Sequence, residues 1–289
     1  MRLAFCGLGQ MGAPMAERLL AAGHDLVVWN RSPEKTEPFV KRGAGRAASP
    51  AEAATDADAV ITMVSTPEAL NGVVFGPAGI ERGMVGGGTL IEMSTVGAAG
   101  VRGIARQLPE GVDVIDAPVL GSIPQARDGA LQVFVGSSPE NFKRFFEVFS
   151  ALGEPVHIGP FGSGAAMKLV VNSTLGALQL AFGEAMALSD ALGLDSSTTL
   201  DVLEVSPIGA TVQKKREKLE SGVFEPNFKL SLAAKDMRLV TEAAGAAGIE
   251  LLGAAAARAA FEAANDAGLG DCDYSAVAAF LSGRDARPA

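Results

Sequence analysis

Hydrophobic positions along the chain fall into two regimes. In the first half, apolar runs at residues 3–6, 26–29, 59–64, 89–93, 112–116, 132–135 and 156–158 read as buried strands. A helix over residues 13–22, stopped by Gly23, separates the first two strands, and another starts near Glu68. From Gly164 onward the period is helical almost throughout: 164–192, 197–205, 212–220, 232–247, 251–267 and 274–281, with 285–289 as a frayed tail. The pattern predicts an α/β fold, with a doubly wound sheet over residues 1–161 followed by an all-α domain over residues 162–289. A connecting helix over about 163–192 joins them, and some thirty helical residues span roughly 45 Å.

The first strand runs directly into Gly7-Leu8-Gly9-Gln10-Met11-Gly12, and a helix and a second strand follow. Strand, Gly-x-Gly-x-x-Gly, helix, strand is the context of a dinucleotide-binding loop, so a Rossmann-type sheet is expected. Gly7 permits the tight turn, Gly9 lets the backbone approach a pyrophosphate, and Gly12 lets the helix pack closely on the strand. The N–H groups of the first helical turn then face the anion.

The second strand selects the nucleotide. It ends in Asn30-Arg31-Ser32, where an NAD-selective site carries Asp or Glu for the ribose hydroxyls. A carboxylate would repel a 2′-phosphate, whereas a guanidinium beside a small polar residue binds one. NADP(H) is therefore expected over NAD(H). Ser32 also suits a helix N-cap, with Pro33 at the first helical position.

Ligands of doubly wound sheets lie beyond the carboxyl ends of the strands. Met63, Val64 and Thr66, with Ser94 and Thr95, are therefore candidate walls of the cofactor cleft, Ser94 on the side toward substrate. The turn at Leu120, Gly121 and Ser122 could present N–H groups and a hydroxyl to a substrate carboxylate. In the second half, Lys168 and Asn172 lie four apart on one face of an otherwise apolar helix. An ammonium and an amide placed so form either a buried polar pair or a reaction site, with Lys168 as the acid/base group. Lys235-Asp236 follows an apolar approach at Phe228, Leu230 and Leu232 and could equally be a solvated surface pair.

Composition narrows the class. The 289 residues are 48% hydrophobic and 20% charged, enough for a substantial core and two domains. The net charge of −9 argues against a nucleic-acid partner, since phosphate backbones require clustered Lys and Arg. Two cysteines and two histidines offer no metal spacing, and no metal is expected; Cys6 and Cys272 read as reduced thiols of a cytoplasmic protein. The apolar N-terminus breaks at the glycine loop before it could serve as a signal segment. No uncharged segment approaches the roughly 18 apolar residues that span a membrane, so no membrane partner is expected.

Four separated motifs carry a family resemblance over essentially the whole chain. They are Gly7-Leu-Gly-Gln-Met-Gly-Ala-Pro-Met-Ala, Asp116-Ala-Pro-Val with its turn, Gly164-Ala-Ala-Met-Lys168-Leu-Val-Val-Asn172, and Lys235-Asp236. The chain resembles the β-hydroxyacid dehydrogenases, which include 3-hydroxyisobutyrate dehydrogenases, tartronate semialdehyde reductases and glyoxylate/succinic semialdehyde reductases. The resemblance implies a carbonyl–hydroxyl interconversion on a small carboxylate substrate by hydride transfer. It further implies that Lys168 is the catalytic acid/base, Asn172 orients substrate, Ser122 helps hold its carboxylate, and Thr95 and Lys235 lie against the cofactor. Trp29-Asn-Arg-Ser looks like the NADP-using glyoxylate/succinic semialdehyde branch. The family also implies a homodimer or homotetramer, with assembly through the helical domain. Leu120 departs from the family's loop, which has a serine there, and points to a bulkier or less polar substrate.

Two rivals remain at this stage. One is an NAD-dependent 3-hydroxyisobutyrate-type dehydrogenase, against which Asn30-Arg31 counts. The other is a catalytically inactive, cofactor-binding scaffold, which should have lost Lys168 and, for a chromatin-type role, gained a basic tail.

Overall fold

The computed structural model describes residues 1–84 and 88–288. The chain divides into two compact units, Met1–Lys168 and Leu169–Ala289. The division falls inside the connecting helix, a few residues beyond the boundary expected from the sequence.

In the first unit the strands are β1 (Arg2–Cys6), β2 (Asp25–Trp29), β3 (Gly45–Arg46), β4 (Ala59–Thr62), β5 (Thr89–Glu92), β6 (Asp113–Asp116), β7 (Val119–Leu120), β8 (Leu131–Gly136) and β9 (Gly153–Gly159). Its helices are α1 (Gly12–Ala21), α2 (Glu37–Val40), α3 (Pro50–Ala54), α4 (Pro67–Phe75), α5 (Gly97–Ala105), α6 (Ile123–Asp128), α7 (Pro139–Arg144) and α8 (Phe146–Leu152). Among the described residues the sheet runs β3-β2-β1-β4-β5-β6, all parallel. It continues with β8, which pairs antiparallel to β6 and then to β7, while β9 runs parallel to β8.

The apolar runs make sense in this setting. Leu3 and Phe5 of β1 face a core with Met15 and Leu19 of α1 and Phe149 of α8. Ala4 and Cys6 face the opposite core with Leu70 of α4 and Ile104 of α5. A sheet covered on both faces needs apolar side chains at every position, so its strands do not alternate with polar residues. Two-residue strands such as β3 and β7 carry too little pattern to be seen in the sequence.

The second unit is helical. The connecting helix α9 (Ser163–Ala191) continues into it and is followed by α10 (Ser196–Glu204), α11 (Gly209–Ser221), α12 (Leu230–Ala246), α13 (Leu252–Ala264) and α14 (Ala276–Leu281), with a π-helical turn over Asn265–Leu269. Small residues set its packing. A Cβ on Gly176 would sit 2.3 Å from the Met237 sulfur, and one on Gly183 only 2.7 Å from Leu281.

One expectation is corrected. The tail is tied down rather than frayed: the Phe224 N–H donates to the Arg287 carbonyl at 2.9 Å and the Arg287 N–H to that of Gly222 at 3.1 Å. Ala289 lies outside the described residues. By length and composition α9 is long and apolar enough to cross a membrane, although Lys168 and Glu184 interrupt its apolar run. Its Phe182 and Met186 are wholly buried in the core of the helical unit, while Val170, Leu178 and Leu188 are exposed.

Candidate active site

Strand register builds the ligand-facing edge of the first unit. Cys6 pairs with both Trp29 and Thr62, Thr62 with Glu92, and Glu92 with Asp116. Five strands therefore end in one row, and the segments that leave them, at Gly7, Asn30, Met63, Met93 and Ala117, emerge side by side. This is the edge at which parallel sheets bind ligands.

The glycine loop shows what each glycine is for. Gly7 has φ +111°, and a Cβ there would lie 2.3 Å from the Met63 carbonyl oxygen. A Cβ on Gly12 would lie 1.9 Å from the Gly7 carbonyl oxygen. At Gly9, an exposed residue, the space where a Cβ would project is open, with no atom within 4 Å. Two glycines are thus demanded by the fold, while Gly9 keeps space clear for something outside the polypeptide. That arrangement fits a dinucleotide pyrophosphate lying against Gly9, Gln10 and Met11 at the start of α1.

Gly9→Ala should accordingly melt within about 2 °C of wild type but bind NADPH about tenfold more weakly. Gly12→Ala should lower the melting temperature and abolish binding together. Thermal melts and cofactor titration check both; unchanged affinity in Gly9→Ala would remove the pyrophosphate from this loop.

Around the loop, several predicted residues turn out to brace it. Leu8 is buried, and its N–H donates to Asn30 Oδ1 at 2.8 Å, while Asn30 Nδ2 donates to the Ser32 carbonyl at 3.1 Å. The Asn30 side chain therefore helps to hold the loop to the end of β2. Arg31 is exposed and forms no ion pair among the described residues. Ser32 does precede a 3-10 turn over Pro33–Thr36, but its hydroxyl makes no capping bond. Arg31 and Ser32 together could receive a 2′-phosphate.

Ser94 has a bracing role too. It is buried, its Oγ accepts the Val64 N–H at 2.8 Å, and its own N–H donates to Glu92 Oε1 at 2.6 Å. Thr62 Oγ1 donates to the other Glu92 oxygen. A buried carboxylate thus laces the ends of β4 and β5 together, and Ser94 and the Val64 amide serve that lacing. Met63, Val64 and Thr95 remain partly exposed at the strand ends. Thr66 Oγ1 accepts the Ala69 N–H at 3.1 Å and caps α4.

At the turn after β7, Gly121 has φ +140° and is exposed, and Leu120 is partly exposed. The Ser122 N–H and hydroxyl both donate to Gln125 Oε1, at 3.0 and 2.8 Å. Both Ser122 donors are already engaged by this capping contact at the start of α6.

The helical unit contains a buried polar trio of its own. Asn172 is 4% exposed, and its Nδ2 donates to Asp236 Oδ2 at 2.7 Å. Lys235 Nζ stands 2.8 Å from Asp236 Oδ1, with both side chains nearly buried. Lys235-Asp236 is therefore not a solvated surface pair. The carboxylate compensates the lysine and fixes the amide of Asn172, so that its carbonyl oxygen is presented in one orientation. Lys168 stands on α9 one turn before Asn172 and is partly exposed.

Two carboxylates to which the sequence assigned no role turn out to be structural. Glu92 closes an apolar strand, and Asp116 closes another. Both are buried and both accept backbone N–H groups. A charged residue at the end of an apolar run was the available signal.

Residues 2–161 match the family of the NAD-binding domain of 6-phosphogluconate dehydrogenase. Residues 162–281 match a family described as the NAD-binding domain of NADP-dependent 3-hydroxyisobutyrate dehydrogenase. The chain is 36% identical over 280 residues to glyoxylate/succinic semialdehyde reductase 1 of Arabidopsis thaliana, covering 96% of this chain and 97% of that protein. It is 31% identical over 279 residues to the human cytokine-like nuclear factor N-PAC, covering 96% of this chain and half of that protein. A crystal structure of 3-hydroxyisobutyrate dehydrogenase from Salmonella typhimurium superposes with a TM-score of 0.86 at 28% identity, covering 97% of this chain and 99% of that one.

Proposed function

The chain belongs to the β-hydroxyacid dehydrogenase family and is a nicotinamide-dependent oxidoreductase of hydroxy acids; we propose that it works as an NADPH-preferring reductase of a small aldehyde or keto acid, with Lys168 as the acid/base group. The observation that carries this choice is the end of β2, where an exposed Arg31 stands in place of an acid while Asn30 is committed to the loop. The similarity to a glyoxylate/succinic semialdehyde reductase supports the same choice.

The nicotinamide, when bound, exchanges the hydride with the substrate carbon. The remaining roles fall to side chains. Lys168 gives a proton to the carbonyl oxygen during reduction and takes one from the hydroxyl in the reverse direction. Asn172, held by Asp236, hydrogen-bonds the substrate and keeps that oxygen toward Lys168. In this proposal Gly121 and Ser122 hold the substrate's acid group and Leu120 offers it an apolar neighbour. Since Gln125 already engages Ser122, a substrate carboxylate binding there must displace it, which favours substrates that also gain contact with Leu120.

Assembly as a homodimer or homotetramer through the helical unit belongs to the same proposal. It is supported by Val170, Leu178 and Leu188, which lie exposed along one side of α9 and are 60%, 41% and 60% accessible. Two free, buried thiols are consistent with a cytoplasmic setting.

NADPH oxidation followed by absorbance, against glyoxylate, succinic semialdehyde and longer, less polar aldehydes, with NADH in parallel, tests the proposal. Turnover at least about tenfold better with NADPH than with NADH is expected. Equal or better turnover with NADH would refute the cofactor preference.

A further inference from the structure

Resting on the assignment of Lys168 as the acid/base group, we infer that Asp116 is its positioning residue: the buried Asp116 carboxylate holds the start of α9 against the end of β6 and so fixes where Lys168 stands.

Asp116 is wholly buried. Its Oδ1 accepts the Gly162 N–H and its Oδ2 the Ala165 N–H, both at 2.6 Å. The start of a helix leaves such N–H groups without helical partners, and a negative charge at that end also suits the helix dipole. One side chain thus satisfies two donors on either side of Ser163, at the head of a helix 29 residues long.

The surrounding backbone is built to let the carboxylate in. A Cβ on Gly136, the ladder partner of Asp116 in β8, would lie 2.4 Å from Oδ1. A Cβ on Gly164 would lie 2.1 Å from the Phe134 carbonyl oxygen and 2.8 Å from that of Asp116. Helix and strands therefore meet backbone to backbone. Lys168 follows Ala165 by three residues of continuous helix, so displacement of the clamped turn is passed directly to it. Misplacing a catalytic group by about 1 Å can cost on the order of 10²-fold in rate.

The clamp is also sensitive to protonation. On β5 the ladder neighbour of Asp116 is Glu92. On α5, Arg102 lies beside Gly162, its Nε 3.0 Å from where a Cβ on that glycine would stand. The ladder partner on β8 is Gly136, which carries no charge, and Lys168 follows on α9 within one turn of Ala165. Burial pushes the Asp116 carboxyl up to about 6, although the backbone N–H groups pull the other way. A protonated carboxyl loses acceptor capacity on one oxygen and needs an acceptor of its own, so the clamp should slacken as pH falls through 6.

The experiment compares wild type, Asp116→Asn and Lys168→Ala. Turnover and NADPH KM are followed from pH 5 to 8, together with amide hydrogen-exchange protection over residues 160–168. In Asp116→Asn, one N–H meets an amide NH2 instead of an acceptor. Its kcat should fall about 10- to 100-fold with the NADPH KM within about threefold. Protection at Gly162 and Ala165 should drop, and the decline in kcat below about pH 6 should be absent. Wild-type kcat, or intact protection together with the acid decline, would overturn the inference.

Should the variant fail to fold, wild type alone decides. Its Gly162 and Ala165 amides should be strongly protected at neutral pH, as donors held by a buried carboxylate, and rapid exchange there would overturn the clamp. Normal turnover of Lys168→Ala would refute the acid/base assignment and with it the positioning role. An inactive Lys168→Ala beside a fully active Asp116→Asn would refute the positioning role alone.

Discussion

Replacing Lys168 by alanine is expected to lower turnover about 10²- to 10⁴-fold, the usual contribution of a positioned acid or base. That corresponds to about 3–5.5 kcal/mol of lost transition-state stabilisation. NADPH affinity should stay within a few-fold, because the glycine loop and Arg31 lie on other elements and Lys168 contributes no part of them. Single-turnover kinetics beside a fluorescence titration of NADPH separates the two quantities. Near-normal turnover would mean that another group carries the proton. A large loss of affinity with little loss of turnover would place the ammonium against the cofactor instead. Lys168→Arg keeps the charge but not the proton affinity, since a guanidinium holds its proton throughout the working range. It should therefore be nearly as slow as the alanine variant, and a rescued rate would mean that the position supplies charge alone.

The division between what the sequence disclosed and what it hid follows from the range of the forces involved. Gly7 and Gly12 were legible because the constraint is local: a positive φ in one case, contact within one turn in the other. The long parallel strands were legible because a sheet covered on both faces leaves continuous apolar runs. β3, β7 and the short helices of the first unit were not, since two to seven residues carry no reliable period.

Side-chain commitments were hidden for a different reason. Asn30 and Arg31 are adjacent and polar, yet one is spent on the Leu8 N–H and the other is left exposed. Ser94 and Ser122 looked like substrate donors, but partners at Val64, Glu92 and Gln125 had claimed their hydroxyls or amides. Such pairings depend on which strand ends lie together, and no single segment encodes that. Lys235-Asp236 shows the same limit in reverse, since the pair reads as solvated until Asn172 is seen to lie against it.

Arg31→Glu is expected to invert the cofactor preference. A charged hydrogen bond is worth about 1.5–3 kcal/mol, so losing the guanidinium alone should cost about 10- to 150-fold in kcat/KM for NADPH. The new carboxylate adds repulsion against a dianionic 2′-phosphate, which takes the expected loss to 10²-fold or more. With NADH there is no phosphate to repel, and a carboxylate at the end of β2 can accept from the ribose hydroxyls, so kcat/KM should hold or rise. Asn30 need not change, because its side chain is already engaged with Leu8 and Ser32, and the glycine loop should keep its shape. The melting temperature is expected to stay near that of wild type, as Arg31 is exposed and unpaired among the described residues. Steady-state kinetics with both cofactors decides the matter. A parallel loss with NADH and NADPH would show that Arg31 serves the part the two cofactors share, and an unchanged ratio would move recognition of the 2′-phosphate away from β2 altogether.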